Sequence, residues 1–314
     1  MSCVKAKPLR IATRKSPLAQ AQASKVKDKI LKYCPEYEIE FVYYTTTGDE
    51  ILDRPLAEIG GKGLFIKTLE EALLYDKADI AVHSLKDVPS VISEEFSLIA
   101  YVERENPLDV MVSSEFDSFE ALPKNSRVGT SSPRRKAQLK NLRPDLEVGL
   151  LRGNVNTRVD KILKGELDAG IMAYAGLERL GLAGEIREVF PADMLLPSPG
   201  QGIIAVECLA ARREEFFDMA QKINDPYVER MGVTERSFSA ALSGNCYSAI
   251  AALAQIYGTQ LSVMGAVFSP DGEHKVVGVK ALDISHEVTA FETLGTTLAK
   301  ELERKGARRL LQCH

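Results

Sequence analysis

The chain has 314 residues, long for a single hydrophobic core, which points to two or three domains. Apolar residues make up 45% and charged residues 27%, an ordinary globular balance that argues against disorder as the dominant state. The formal net charge of −4 argues against a general nucleic-acid or membrane-surface binder, so any anion must be met by positive charge gathered locally.

The opening stretch, residues 1–8, has basic residues but no apolar h-region, so no signal peptide is read. No apolar run approaches the ~20 residues needed to span a bilayer. The expected compartment is the cytoplasm. Short apolar strands then alternate with amphipathic helices to about residue 220, which predicts α/β units with mainly parallel sheets. A strand is read over 9–13. A helix follows, with Ser16 as N-cap, Pro17 at the first helical position, and Leu18, Val26 and Ile30 on one face. A second buried strand is read over 79–82. A third is read over 127–130, followed by Ser131-Ser132-Pro133 and a new helix, and a fourth over 147–151. The segment from Arg10 to Gln20 and the segment from Arg127 to Gln138 share strand, turn chemistry and helix start. Two similar α/β domains are therefore expected, with a chance likeness of Ser-Pro helix starts as the alternative. Past Pro226 the texture changes. A helix over 228–242 ends at Ser243-Gly244, and strands follow over 249–257, 260–268 and 275–282. Ser269-Pro270-Asp271-Gly272 marks a hairpin turn, and a last helix covers 288–305. This predicts a small α+β domain with an antiparallel sheet.

In open α/β sheets ligands collect at the carboxyl ends of the strands. Beyond the predicted strands stand Arg14 and Lys15, then Ser84, Lys86 and Asp87, then Ser131, Ser132, Arg134 and Arg135, then Arg152 and Arg158. Two of these loops open helices, whose free N–H groups favour anions. Arginine suits bidentate carboxylate pairing, so the pattern predicts a cleft for an anion with several carboxylates or phosphates. Solvated surface arginines are the alternative. Asp87, beside a cation in a basic cleft, suits stabilisation of developing positive charge or proton transfer; a surface ion pair is the other reading. Gly60-Gly61-Lys62-Gly63 lacks the spacing of a phosphate loop and reads better as a Gly-hinged lid. The turn 198–202, with Gln201, reads as a hinge between domains. His83 reads as a satisfied structural histidine.

The five cysteines, Cys3, Cys34, Cys208, Cys246 and Cys313, are odd in number, widely spaced and free of CxxC, which fits free thiols in a reducing compartment. The four histidines do not join them at ligand spacing, so no metal is expected. Cys246 follows a helix end in Gly244-Asn245-Cys246, where a loop can present a thiol; on residue type alone a buried inert thiol is the commoner outcome.

Six blocks in order carry a resemblance: 10–19, Gly60-Gly61-Lys62-Gly63-Leu64-Phe65, 81–89, 128–135, 151–158 and Gly200-Gln201-Gly202. Over nearly the whole chain the sequence resembles the porphobilinogen deaminase family. The resemblance implies three domains: domain 1 (1–102 and 203–220) and domain 2 (107–196), both like type II periplasmic binding proteins, and domain 3 (226–314). It implies a dipyrromethane cofactor, thioether-linked at Cys246, onto which four porphobilinogen units are joined head to tail with loss of ammonia, giving hydroxymethylbilane. Arg14, Ser84, Lys86, Thr130, Ser132, Arg134, Arg135, Arg152 and Arg158 match positions that contact cofactor or substrate carboxylates. Asp87 matches the catalytic aspartate. Lys62 and Phe65 lie in the implied lid, within 50–65, and a monomer without metal, membrane or nucleic-acid partner is implied. One block departs from the family pattern: Asn245 stands where a second Gly is common and Ala249 where a Pro is common. Asn tolerates the left-handed conformation such a Gly would serve. Two other readings compete: a two-lobed anion receptor, which gives Asp87 and Cys246 no task, and a thiol hydrolase, which needs a histidine near Cys246 in space.

Overall fold

The computed structural model describes residues 7–46, 66–242 and 248–311. Strand β1 (Leu9–Arg14) leads into helix α1 (Pro17–Tyr33) as the Ser-Pro pair dictates: Ser16 is extended and its Oγ accepts from the Ala19 N–H at 3.4 Å. Val26 and Ile30 enter the core, whereas Leu18, expected beside them, is only half-buried and lies next to Gly176. Strand β2 (Ile39–Tyr44), helix α2 (Lys67–Leu74), strand β3 (Ile80–Ser84) and strand β4 (Phe96–Arg104) follow.

The chain then crosses to a second sheet. It builds β5 (Asp109–Val112), β6 (Arg127–Gly129), α3 (Pro133–Leu142), β7 (Glu147–Gly149), α4 (Val155–Leu163), β8 (Ala169–Ala173), α5 (Tyr174–Arg179) and β9 (Ile186–Val189). Afterwards it returns to the first sheet as β10 (Ile203–Leu209), and α6 (Phe217–Ile223) packs Met219 and Ile223 into the core that holds Val26 and Ile30. The sheet orders are β2-β1-β3-β10-β4 and β7-β6-β8-β5-β9. They are the same arrangement twice. β1 and β6 each pair parallel with two neighbours, and β10 and β5 each run antiparallel to the strands on both sides. The duplication read from the Ser-Pro segments is thus a duplication of topology.

Two strand limits differ from expectation. The strand expected over 79–82 continues through His83 and Ser84, because β10 pairs with both residues from a distant part of the chain. β6 and β7 stop at Gly129 and Gly149, short of Thr130 and Leu151. There the Ser131 hydroxyl donates to the Leu151 carbonyl in place of a backbone ladder.

The third unit consists of α7 (Pro226–Ala241), the antiparallel sheet β11 (Ile250–Tyr257), β12 (Gln260–Phe268) and β13 (Lys275–Asp283), α8 (Val288–Arg304) and the short α9 (Ala307–Leu310). α7 begins two residues before the expected start. Asp225 caps it, accepting from the N–H groups of Tyr227 (2.9 Å) and Val228 (3.1 Å), so Asp-Pro here repeats the chemistry of Ser-Pro. α7 and α8 touch backbone to side: a Cβ at Gly295 would lie 2.2 Å from the Thr234 carbonyl oxygen, which only glycine permits. The 269–274 hairpin turn forms as expected, and Asn141 of α3 donates to the Gly272 carbonyl at 2.7 Å. The third unit is also fastened to β4. Glu235 of α7, fully buried, accepts from Arg104 Nη1 at 2.7 Å and from the N–H groups of Gly200 (2.6 Å) and Ala254 (2.7 Å).

Candidate active site

The carboxyl ends of the parallel strands of both sheets converge on one cluster of cations. Arg14 ends β1. Lys86 and Asp87 lie on a single 3-10 turn, Leu85–Asp87, directly after β3. Arg134 and Arg135 stand in the first turn of α3, after β6. Arg152 follows β7, and Arg158 lies in α4. Ser132 caps α3, accepting from the Arg135 N–H at 3.4 Å, and Thr130 Oγ1 accepts from the Ser132 N–H at 3.2 Å. Asn154 caps α4, accepting from the Thr157 N–H at 2.9 Å. Thr130 and Ser132 therefore hold the loop and helix start that carry the arginines. Ser84 Oγ lies 2.7 Å from Gln22 Nε2 of α1, which fixes the end of β3.

The electrostatics tie these positions together. Burial and the neighbouring Arg135 bring the Lys86 ammonium down to about 8, against the pull of Asp87 and Asp109. Burial, Arg135 and Arg152 bring Arg158 down to about 10, opposed by Asp87 and reinforced by Arg14. Burial lowers Arg134 and Arg152 as well. Six cations, from both lobes, share this field with two carboxylates, Asp87 and Asp109. Such a concentration in a chain of negative net charge is the local positive charge that an anion site requires.

Asp109 was missed by sequence reasoning, since Asn106-Pro107-Leu108-Asp109 gives no local sign that the aspartate is buried. It is fully buried and accepts from Arg135 Nη2 (2.6 Å) and Gln201 Nε2 (2.8 Å), with Arg134 Nη2 2.7 Å away. Arg134 also donates to the Leu196 carbonyl at 2.6 Å and is only 4% exposed. Gln201, on the second crossing, bridges to both lobes: its Oε1 accepts from Lys86 Nζ at 3.3 Å and its Nε2 donates to the Pro107 carbonyl at 2.7 Å. Gly200 beside it has φ +75°, and a Cβ there would lie 3.0 Å from the Lys86 backbone nitrogen, so the turn can press this closely only as glycine.

The Asp87 turn is braced from the third unit. Arg236 of α7 donates to the carbonyls of Val88 (3.4 Å) and Ser90 (3.3 Å). His83 has the structural role expected of it, with Nε2 2.8 Å from Glu207 Oε2 of β10, both side chains buried. Cys34 and Cys208 are buried free thiols. Cys246, Lys62 and Phe65 lie outside the described residues. Among the described residues, no group of three or more His, Cys, Asp or Glu is placed to hold a metal ion, and no helix is long and apolar enough to cross a membrane.

The fold and the cluster define a two-lobed α/β protein with a third α+β unit and a concentration of buried and half-buried cations beside a half-buried carboxylate, Asp87. A family model described as the dipyromethane cofactor binding domain of porphobilinogen deaminase matches residues 9–216, and one described as the C-terminal domain of porphobilinogen deaminase matches residues 232–304. The chain belongs to the porphobilinogen deaminase family, transferases that polymerise porphobilinogen into hydroxymethylbilane on a dipyrromethane cofactor. Among solved structures it is similar to a double mutant of the VFT2 domain of BvgS from Bordetella pertussis (14% identity, 68% of this chain and 85% of that one, TM-score 0.44). It is also similar to an ABC-transporter periplasmic substrate-binding protein from Coxiella burnetii (11%, 70% and 93%, 0.45) and a nutrient binding protein from Burkholderia cenocepacia bound to methionine (11%, 70% and 93%, 0.44).

Proposed function

We propose that the cation cluster is where this chain holds the carboxylates of cofactor and substrate, and that Asp87 carries the chemistry. Each pyrrole of porphobilinogen bears an acetate and a propionate, so a growing chain accumulates negative charge. The observation that carries the reading is a set of six cations linked through Lys86 and Arg158, both of which interact with the half-buried carboxylate Asp87, while a second, buried carboxylate pairs with Arg134 and Arg135. Arg14, Lys86, Arg135, Arg152 and Arg158 pair with the carboxylates, Arg134 backs them, and Ser84, Thr130 and Ser132 add short polar contacts. Asp87 offsets the positive charge that develops on the pyrrole as ammonia leaves. Cys246 carries the dipyrromethane. When bound, that group supplies the nucleophilic pyrrole carbon that receives the first substrate, and its tether keeps the growing end near one carboxylate. Gln201 acts as the hinge fastening.

The same reading divides the chain into 1–102 with 203–220, 107–196, and 226–314, and takes it as a cytoplasmic monomer that uses no metal. The test is the intact mass of the purified protein and of Cys246→Ala. An excess equal to two linked pyrrole units is expected in the parent and not in the variant. A parent that stays at its bare mass after incubation with porphobilinogen would turn the reading to an anion receptor.

A pH dependence follows from Lys86. Its folded value of about 8 lies below the ~10.4 of an unfolded lysine, so the folded chain loses this proton first. The charged lysine therefore weakens folding below about pH 8, and that penalty fades as pH rises from about 8 towards 10.4. Substrate binding has the opposite trend, because the cation is lost over the same interval. KM for porphobilinogen is expected to rise above about pH 8. Lys86→Arg, charged throughout, is expected to flatten that limb; an unchanged limb in this variant would assign the titration to another group.

A further inference from the structure

Asp109 begins β5, the first strand after the first crossing between sheets, and Gln201 precedes β10 on the second crossing. Two consecutive arginines, Arg134 and Arg135, bring their guanidinium groups to opposite oxygens of the one buried carboxylate, Oδ2 and Oδ1. Each is pinned at its other terminal nitrogen by a backbone carbonyl, Leu196 for Arg134 and Ile171 for Arg135 (3.1 Å). Among the described residues, the Nε of each is buried without a hydrogen-bond acceptor. Side by side and desolvated, these like charges repel; the shared counterion lets both lie in one wall. The same Oδ1 takes the Gln201 amide, whose oxygen receives Lys86 from the other lobe. A single chain of contacts thus runs from Arg135 of the second sheet through Asp109 and Gln201 to Lys86 of the first.

We propose that Asp109 is a positioning residue for the polymerisation: it fixes Arg135, and through Gln201 also Lys86, at set places, so that cations from both lobes meet the substrate carboxylates already aligned. The proposal rests on the reading of the cluster as a carboxylate site. Preorganisation of this kind supplies binding, so its loss appears in KM rather than in the bond-forming rate.

The test compares parent, Asp109→Asn, Arg135→Gln and the double variant, each purified in its pyrrole-loaded form with loading read by intact mass. Asp109→Asn is expected to load and to raise KM for porphobilinogen about tenfold, as loss of a charge-assisted contact does, with kcat within about threefold. The double variant is expected to raise KM above that of Arg135→Gln by about threefold, the share that runs through Gln201 to Lys86. That is less than the roughly tenfold rise in the parent background, since the rest of the effect acts through the Arg135 guanidinium. If Asp109→Asn unfolds, Gln201→Met keeps the buried ion pairs and cuts the link to Lys86; a KM rise of about threefold is then expected. Parent-like KM in Asp109→Asn, or in Gln201→Met if that variant must stand in, with KM raised in Arg135→Gln, overturns the positioning role alone. Parent-like KM in Arg135→Gln overturns it together with the carboxylate-site reading beneath it.

Discussion

Asp87→Asn is expected to lower kcat for ammonia release from porphobilinogen by about a thousandfold, in the range found when a positioned acid–base or charge-stabilising group is removed. The amide keeps the size of the side chain and discards its charge. Asp87 is the half-buried carboxylate that acts on both Lys86 and Arg158, so the substitution leaves only the buried Asp109 to offset the cations around a step that itself develops positive charge. The turn that carries the residue stays in place, because Arg236 holds the carbonyls of Val88 and Ser90 whatever the side chain at 87. KM and pyrrole content by intact mass are therefore expected to stay near the parent values. A kcat within tenfold of the parent, in protein of unchanged mass, would remove Asp87 from the chemistry.

The largest loss of stability is expected at Glu235. Its carboxylate is fully buried and gathers the Arg104 guanidinium and the backbone N–H groups of Gly200 and Ala254, drawn from β4, the turn at 198–202 and β11. Glu235→Ala leaves a buried guanidinium without its counterion and strips two N–H groups of their acceptor. Breaking a buried pair in this way costs about 3–5 kcal/mol. At roughly 2–4 °C per kcal/mol, the melting temperature falls by about 10 °C. Calorimetry of the two proteins measures it, and a fall under about 2 °C would mean that water or rearrangement replaces the carboxylate.

What could be read from the sequence is what the chain settles locally. Ser16-Pro17 and Ser132-Pro133 each start a helix after a strand, and of the basic residues beyond the strands Arg14, Lys86, Arg134, Arg135, Arg152 and Arg158 share one cluster, while Lys15 is exposed. The hairpin at 269–274 follows from its turn residues. What escaped reading is set by partners far off in the chain. His83 and Ser84 are strand residues only because β10 arrives beside them. Asp109 and Glu235 look like any acidic residue in a loop or amphipathic helix, and their burial depends on Arg134, Arg135 and Arg104, which sequence cannot place beside them. The departure at Asn245 and Ala249 concerns a loop whose residues 243–247 lie outside the description, so its chemistry rests on the mass measurement.

The exchanged strands bear on how the polypeptide is made. β10 fills the slot between β3 and β4 and pairs with both. A chain emerging from the ribosome has therefore displayed two unsatisfied strand edges in its first lobe until residue 209 is synthesised, while the second lobe, whose strands all lie within 109–189, is already complete. Of the two lobes, the amino-terminal one is translated first and closes second, and its open edges are where self-association during synthesis would begin.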